Sequence, residues 1–145
     1  MTNKPTLYTL VGLPACGKST YCMNNNDCVI VSTDAIRKEL YGDESAQTNN
    51  AKVYHIAHDR IALALASGKN VIFDATNINA KARKRVLKHN AYHIAVCFLV
   101  STYECKERNA KRSRHVPESV IDDYYKRMTI PTKAEGFDEV LFVYK

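Results

Sequence analysis

A segment near the amino terminus has the glycine, lysine and serine spacing of a phosphate-binding loop (P-loop). Residues 12–19 form a complete GxxxxGK[ST] pattern, preceded by a short apolar run and followed by a helical stretch. In such a loop, glycines let backbone N–H groups turn toward phosphate oxygens, a lysine reaches the β- and γ-phosphates, and a hydroxyl binds Mg²⁺. The pattern therefore predicts binding of ATP through Lys18 and of Mg²⁺ through Ser19. The nucleotide-binding residues predicted here are Gly12, Leu13, Pro14, Ala15, Cys16, Gly17, Lys18, Ser19 and Thr20.

A carboxylate and an arginine follow the second apolar run, one helical turn apart. Asp34 and Arg37 come just after residues 28–31, at the sheet edge where open α/β folds bind their ligands. A carboxylate at this place can accept the proton of an attacking hydroxyl, and the arginine can hold an anionic group on the acceptor. Asp is also a common N-cap, so Asp34 would equally suit a helix over residues 35–40. The residues themselves leave both roles open.

Short polar side chains follow the third apolar run. Asp74 stands where a Walker B carboxylate would stand and would coordinate Mg²⁺ directly or through water. Thr76 and Asn77 lie on the same predicted rim. They suit substrate phosphate binding and capping of the next helix equally well.

Two basic segments lie farther along the chain. Arg108 and Arg112 are four residues apart, on a helix expected to start just after Ser101, and would share a face. An arginine that closes over the transferring phosphoryl group stabilises its charge, so residues 108–116, which also contain Arg114 and His115, are predicted to form a lid. A solvated helix face is the alternative. The second segment, which lies near a polymer's phosphates or only faces solvent, contains Lys81, Arg83, Lys84, Arg85 and Lys88.

The elements that position these residues alternate between strand and helix. Apolar runs at residues 7–11, 28–31, 70–73, 92–100 and 140–144 read as buried strands, and helix-period segments lie between them, including one over about 46–67. This alternation predicts one α/β domain over residues 1–145, a three-layer P-loop NTPase-type fold with a parallel sheet of about five strands.

Composition bounds the function class. The 145 residues are 46% hydrophobic and 25% charged, which excludes a collagen-like or wholly disordered chain. The formal net charge of +6 favours an anionic partner such as a nucleotide, a nucleic acid or an anionic lipid.

Cysteine usage and hydropathy bear on location. The chain has five cysteines, an odd number without a CxxC pair, which argues against a disulfide framework and against a structural zinc site. A reducing cytoplasm is therefore the expected location. No apolar run is long enough to span a bilayer, and the first residues lack the apolar core of a secretory signal, so no membrane association is expected.

The order of the motifs resembles that of the 5′-hydroxyl polynucleotide kinase domain of phage and bacterial end-healing enzymes. The similarity runs from about residue 6 to residue 130. It is carried by the loop at 12–19, by Ser32-Thr33-Asp34 with Arg37, by Asp74-Ala75-Thr76-Asn77, and by Arg108 and Arg112 ahead of Val116-Pro117.

The resemblance implies a reaction and a role for each matching residue. The γ-phosphoryl group of ATP would pass to the 5′-OH end of DNA or RNA, in the host cytoplasm if the protein is phage-encoded. Asp34 would be the general base, and Arg37 would hold the phosphate next to the acceptor end. Arg112, on the lid with Arg108, would contact the donor phosphates, and Thr76 would lie on the acceptor side.

Two departures from the family and two rival functions accompany this expectation. The chain has no room for the phosphatase domain of the best-known phage member, so no second activity is expected in it. Asp74 precedes Thr76 by two residues, whereas in some members the acid directly precedes the threonine, which leaves Mg²⁺ and a lid arginine as alternative partners. A small-molecule kinase and a nucleotide-dependent binding module remain the rival functions.

Overall fold

The computed structural model describes residues 4–25, 27–43, 49–112 and 116–144. Five strands in this part of the chain form one sheet in the order β2-β3-β1-β4-β5, and every neighbouring pair is parallel. The predicted parallel sheet is thus confirmed. The strands are β1 (Thr6–Val11), β2 (Val29–Ser32), β3 (Val71–Asp74), β4 (Tyr92–Phe98) and β5 (Glu139–Val143).

Helices cover both faces of the sheet. Because successive strand residues point to opposite faces, the sheet supplies two apolar clusters. Val71 and Phe73 pack in one of them, and Ile72 packs in the other. This confirms the three-layer arrangement. The helices are α1 (Lys18–Asn24), α2 (Thr33–Tyr41), α3 (Asn50–Ala66), α4 (Ala80–Val86), α5 (Thr102–Ala110) and α6 (Glu118–Arg127), with a 3₁₀ turn at Lys133–Glu135.

Several helix boundaries follow from side-chain caps. Ser101 accepts a hydrogen bond from the Glu104 N–H, as the capping-box spacing of these two residues predicts. The Ser32 hydroxyl accepts one from the Ala35 N–H. The helix predicted from about residue 46 is observed from Asn50, and residues 46–48 lie outside the described part. β4 ends at Phe98, two residues earlier than predicted.

The basic segment around α4 is not uniformly solvent-facing or free for phosphates. Arg83 is completely buried and forms an ion pair with Glu135, with Nε 2.8 Å from Oε1. Its guanidinium also donates to the carbonyl oxygens of Asn77 and Thr129, each at 3.0 Å. Arg83 therefore joins α4, the loop after β3 and the 3₁₀ turn.

Two observations concern the whole described chain. No helix among residues 4–25, 27–43, 49–112 and 116–144 is long and apolar enough to cross a membrane. All five cysteines are free thiols, and four of them are buried.

Candidate active site

The phosphate loop connects β1 to α1, and its first glycine is required by close packing. A Cβ on Gly12 would lie 2.5 Å from Cys16 Sγ and 3.1 Å from Phe98 Cβ, so no larger residue fits without displacement. The Gly12 N–H donates to the Thr76 carbonyl oxygen at 3.0 Å, which ties the loop to the end of β3. Gly17 has a φ of 107°, which favours glycine.

Lys18 is the first residue of α1, and its ammonium group lies against the loop. Nζ donates to the carbonyl oxygens of Leu13 at 2.8 Å and Gly12 at 3.2 Å, and it lies 3.6 Å from Cys16 Sγ. These contacts hold a positive charge beside the turn in which backbone N–H groups change direction. Such a turn suits a phosphate group.

A cleft of about 1020 Å³ opens at the carboxyl ends of β1, β2 and β3. It brings together side chains that the sequence places more than ninety positions apart, as expected for ligand sites in open α/β sheets. Gly12, Leu13 and Cys16 lie in the buried base of the phosphate loop rather than among the lining residues. The predicted site residues that line the cleft are Pro14, Ala15, Gly17, Lys18, Ser19, Thr20, Asp34, Arg37, Asp74, Thr76, Arg108 and Arg112.

Asp34 lies in the first turn of α2 and is not its cap. Ser32 occupies the N-cap position, so the capping role left open for Asp34 is wrong. Arg37 Nη1 donates to Asp34 Oδ1 at 2.9 Å, and the Asp34 side chain is 52% exposed. The carboxylate is thus oriented by a fixed cation and remains accessible from the cleft, which is the geometry that a general base needs.

Arg37 is held by α3 as well as by Asp34. It is 8% exposed, and its Nε and Nη2 donate to Asn50 Oδ1 at 3.3 and 3.2 Å. Tyr54, one turn farther along α3, forms a side-chain hydrogen bond with Arg37, while burial raises the pKa of the Tyr54 hydroxyl. The orientation of Arg37 is therefore set by two helices.

Asp74 is the last residue of β3 and lies deeper in the cleft. Burial raises the pKa of its carboxyl, the Lys18 ammonium opposes the rise, and the Asp34 charge adds to it. The Cys22 thiol hydrogen-bonds Asp74, and burial together with this carboxylate raises the pKa of Cys22 to about 12. Among the described residues, Asp74 has the Cys22 thiol as a hydrogen-bond partner, and Arg108 pairs with Glu104 rather than with Asp74.

Arg108 and Arg112 both line the cleft, but only Arg108 is on a helix. α5 ends at Ala110, so the expectation that both arginines share one helical face is wrong. Arg108 pairs with Glu104 at 3.1 Å. Asn109, which is 3% exposed, donates Nδ2 to the Val116 carbonyl oxygen at 2.7 Å and accepts from the Val116 N–H at 3.0 Å.

These two bonds fix the ends of the predicted lid segment, residues 108–116, relative to each other. Arg114 and His115 of that segment lie outside the described residues. Sequence reasoning gave Asn109 no role. The available signal was an amide within a run of charged residues, at a position that packs inward.

Thr76 and Asn77 are neighbours that face different places. Thr76 lines the cleft, whereas Asn77 is 2% exposed and is not among the residues lining it. Asn77 Nδ2 donates to the Leu10 carbonyl oxygen at 2.9 Å, and the residue has a φ of 46°, a left-handed conformation that Asn tolerates. Asn77 therefore bridges β1 and the loop after β3.

Two tyrosines complete the wall around the acidic side of the cleft. Tyr54 of α3 and Tyr124 of α6 both line it, and they are close enough for Tyr124 to contribute to the raised pKa of Tyr54. Sequence reasoning did not find them, because tyrosines on apolar helix faces are typical of a protein core.

Serine and carboxylate oxygens in the cleft fit a magnesium site. Mg²⁺ prefers oxygen ligands and usually takes one or two from the protein, with the rest from phosphates and water. The Ser19 hydroxyl and the Asp74 carboxylate both line the cleft. These two residues would hold the ion.

Comparison with known proteins identifies a family, relatives of similar sequence and structures of similar fold. The pattern of a family described as an AAA domain matches residues 7–131. A protein of Autographa californica nuclear polyhedrosis virus, named "Putative bifunctional polynucleotide kinase/RNA ligase", is 26% identical over 145 residues, covering 86% of this chain and 21% of the viral protein. A chain in the structure of the Pnkp1/Rnl/Hen1 RNA repair complex matches with a TM-score of 0.79 and 22% identity, over 88% of this chain and 45% of that chain.

A gluconokinase from Sinorhizobium meliloti 1021 shares the fold with a TM-score of 0.63 and 17% identity, over 99% of this chain and 84% of that one. At these identities the structural matches show the fold alone. The chain spans about a fifth of the viral relative and less than half of the chain from the repair complex. Because the family pattern covers most of the sequence, the chain belongs to the AAA domain family.

Proposed function

We propose that the protein is an ATP-dependent polynucleotide 5′-hydroxyl kinase. The observation that carries the proposal is the Asp34–Arg37 pair, which lies in the same cleft as the phosphate loop, with its carboxylate 52% exposed. A base opposite a phosphate-binding loop is the arrangement required for transfer to a hydroxyl.

The donor side of the cleft would hold the triphosphate. Lys18 would exchange its contacts with the Gly12 and Leu13 carbonyl oxygens for phosphate oxygens. Ser19, with Asp74, would hold Mg²⁺, which when bound neutralises phosphate charge. Arg112 and Arg108 would place positive charge near the γ-phosphoryl oxygens, where charge is spread during transfer.

On the acceptor side, Asp34 would act on the terminal hydroxyl. The 5′ oxygen attacks the γ-phosphorus, the bond between that phosphorus and the β–γ bridging oxygen breaks, and ADP leaves. The hydroxyl proton passes to the Asp34 carboxylate. Arg37, already held by Asn50 and Tyr54, would orient Asp34 and bind the phosphate next to the reacting end, with Thr76 on the same side.

Charge and similarity support a nucleic-acid acceptor. The net charge of +6 favours an anionic substrate, and the viral relative is named for a polynucleotide kinase. The two tyrosines of the cleft wall, Tyr54 and Tyr124, offer flat surfaces against which a base or sugar can pack.

The experiment is transfer of labelled γ-phosphate from ATP, with Mg²⁺, to a 5′-OH oligonucleotide and to its 5′-phosphorylated twin. The 5′-OH strand alone should acquire label. Asp34→Asn should lower kcat by about 10²–10⁴-fold while ATP binding persists, because only the proton acceptor is lost. Lys18→Ala should abolish transfer to any acceptor, because it acts on the donor.

The matched control is Glu39→Gln, which removes one acid from the same helix. Glu39 pairs with Arg60 away from the cleft, so its variant should transfer phosphate at the wild-type rate. Equal rates for Asp34→Asn and wild type would contradict the role of Asp34. Labelling of a sugar or nucleoside in place of the oligonucleotide would favour a small-molecule kinase.

A further inference from the structure

A second cavity, of about 350 Å³, lies beside the acceptor side of the cleft. Tyr54 lines both cavities, so the two adjoin each other. The loop after β3 runs between them, with Thr76 facing the cleft and Asn77 facing the second cavity. A strand that enters the cleft at Arg37 and Tyr54 would thus reach the second cavity next.

The second cavity is lined by apolar and aromatic side chains together with basic and neutral polar ones, and none of the described lining residues is acidic. Lys81 and Arg85 stand four residues apart, one turn of α4, and neither makes an ion pair with a residue that the structure describes. His58 and Asn79 add polar groups. Both cations are exposed and are therefore available to a ligand in the cavity.

A buried acceptor atom in the wall points to a ligand as well. Asn77 is 2% exposed, and its Oδ1 has no hydrogen-bond partner among the described residues, although its Nδ2 donates to Leu10. A buried polar atom left unpaired costs free energy. A phosphate oxygen cannot donate to this atom, so its partner would be a sugar hydroxyl or base N–H of the bound nucleotide, or an ordered water.

Arg85 and His58 both line this cavity. Burial lowers the pKa of His58 to about 4, and the Arg85 charge adds to the lowering, which places the guanidinium near the histidine. His58 is thereby neutral at pH 7. Lys81 and Arg85 are then the two charged side chains of the lining.

We propose that the second cavity is an anion subsite in which Lys81 and Arg85 bind a backbone phosphate of the acceptor strand, inward from the reacting end. This inference rests on the proposed function and specifies its substrate as a polymer with more than one phosphate. A small acceptor would fill the cleft alone and gain nothing from these cations.

The test compares two acceptors in the full-length protein with ATP and Mg²⁺: a 3′-phosphorylated nucleoside, and a 5′-OH oligonucleotide long enough to cross both cavities. In the Lys81→Ala/Arg85→Ala double variant, the ratio of kcat/KM for the long acceptor to that for the short one should fall about tenfold. For the long acceptor, the slope of log KM against the logarithm of the salt concentration should be shallower in this variant by about 1.4, the value for two lost phosphate contacts to a single strand.

The matched control is the Lys84→Ala/Lys88→Ala double variant. It removes the same charge from the same stretch of chain, and these lysines are exposed as Lys81 and Arg85 are, but neither of them lines the cavity. The ratio of kcat/KM for the long acceptor to that for the short one should be the same in this variant as in wild type. A similar fall in both double variants would show general electrostatic attraction, and no fall in either would show no contact. Each result would overturn the proposal.

Binding separates this inference from the proposed function. Affinity for a fluorescent 5′-phosphorylated oligonucleotide is measured without ATP on all three proteins, with thermal unfolding to confirm folding. If wild type phosphorylates neither acceptor, the proposed function is wrong. The subsite would then be supported if the Lys81/Arg85 variant binds the oligonucleotide more weakly than both wild type and the Lys84/Lys88 variant. Equal affinity of all three proteins for the oligonucleotide would refute the anion subsite.

Discussion

Two arginine–carboxylate pairs, Arg37–Asp34 at the cleft and Arg83–Glu135 behind it, use the same chemistry for different ends. The arginines are almost equally buried, at 8% and 0% exposure, and the closest nitrogen–oxygen distances are 2.9 and 2.8 Å. Neither burial of the cation nor bond length distinguishes them. The distinction lies in what else each guanidinium contacts and in the exposure of each carboxylate.

Arg83 uses all three guanidinium nitrogens on fixed protein acceptors. Nε and Nη2 form a bidentate pair with Glu135, whose side chain is 19% exposed, and Nη1 donates to two carbonyl oxygens. Nη2 also donates to Thr129 Oγ1 at 2.9 Å. This pair fixes three segments of chain and leaves no group for a ligand.

Arg37 holds a carboxylate that remains accessible. Asp34 is 52% exposed, and Asn50 accepts from the other two nitrogens of Arg37. Solvent can hydrate Asp34, so its pairing contributes less to stability than burial of Arg37 alone would indicate. An ion pair with an open carboxylate at a sheet edge is thus a sign of chemistry, whereas a closed one indicates structure.

The largest effect is expected from removing the closed pair. Arg83→Met should lower the free energy of unfolding by about 3–5 kcal/mol, because Glu135 and two buried carbonyl oxygens lose their partner. Urea unfolding followed by circular dichroism measures it. Lys84→Met, on the next residue of the same helix, is exposed and should change stability by less than about 0.5 kcal/mol. Similar losses in the two variants would contradict a bracing role for Arg83.

Removing Arg37, of the Arg37–Asp34 pair, should affect the acceptor KM more than the stability of the fold. Arg37→Ala should raise the acceptor KM about 10–100-fold, since hydrogen bonds to charged groups are worth about 1.5–3 kcal/mol. Stability should fall by only about 1 kcal/mol, because Asp34 can be hydrated. Steady-state kinetics with a 5′-OH oligonucleotide and the same urea titration measure both. Arg60→Ala, in an exposed pair with Glu39, is the control and should keep the wild-type KM. If Arg37→Ala loses as much stability as Arg83→Met, the two arginine–carboxylate pairs do not differ in role as described.

The sheet and most of the cleft could be predicted because their signals are local. The phosphate loop, the strand ends and the Ser101 cap are each specified within a few residues of sequence. Parallel strands then bring their carboxyl ends to one edge, so Asp34, Asp74 and Lys18 share a site without any knowledge of contacts.

The roles that sequence reasoning missed depend on partners far away in the chain. In the sequence, Arg83 is one of several basic residues in the α4 segment and nothing distinguishes it from the others. Its burial depends on its partner Glu135, which is 52 positions later. Tyr54 reads as core because it lies on the apolar side of α3, and its contact with Arg37 depends on how α2 packs against α3. Asn77 reads as a rim residue, but its left-handed backbone turns the amide toward β1.

The smallest of the expected effects comes from a histidine pair, His58 and His89, whose protonation should make the stability of the fold depend on pH. His58 Nδ1 and His89 Nε2 are 2.8 Å apart, so one ring must accept from the other. Burial lowers the pKa of His58 to about 4, helped by the charges of Arg85 and His89, and burial also lowers the pKa of His89. The pair requires at least one neutral ring.

Between pH 6.5 and pH 4, the unfolded chain protonates His58 while the folded chain does not, so stability should fall as pH falls through this window. We expect a loss of about 1–2 kcal/mol from His58, after allowance for its partial solvation. His58→Gln should retain only the shallower dependence due to His89, whereas His55→Gln, one turn earlier on α3 with an exposed side chain, should behave as wild type. Urea titrations at a series of pH values measure the slopes. An undiminished slope in His58→Gln would contradict the contribution assigned to His58.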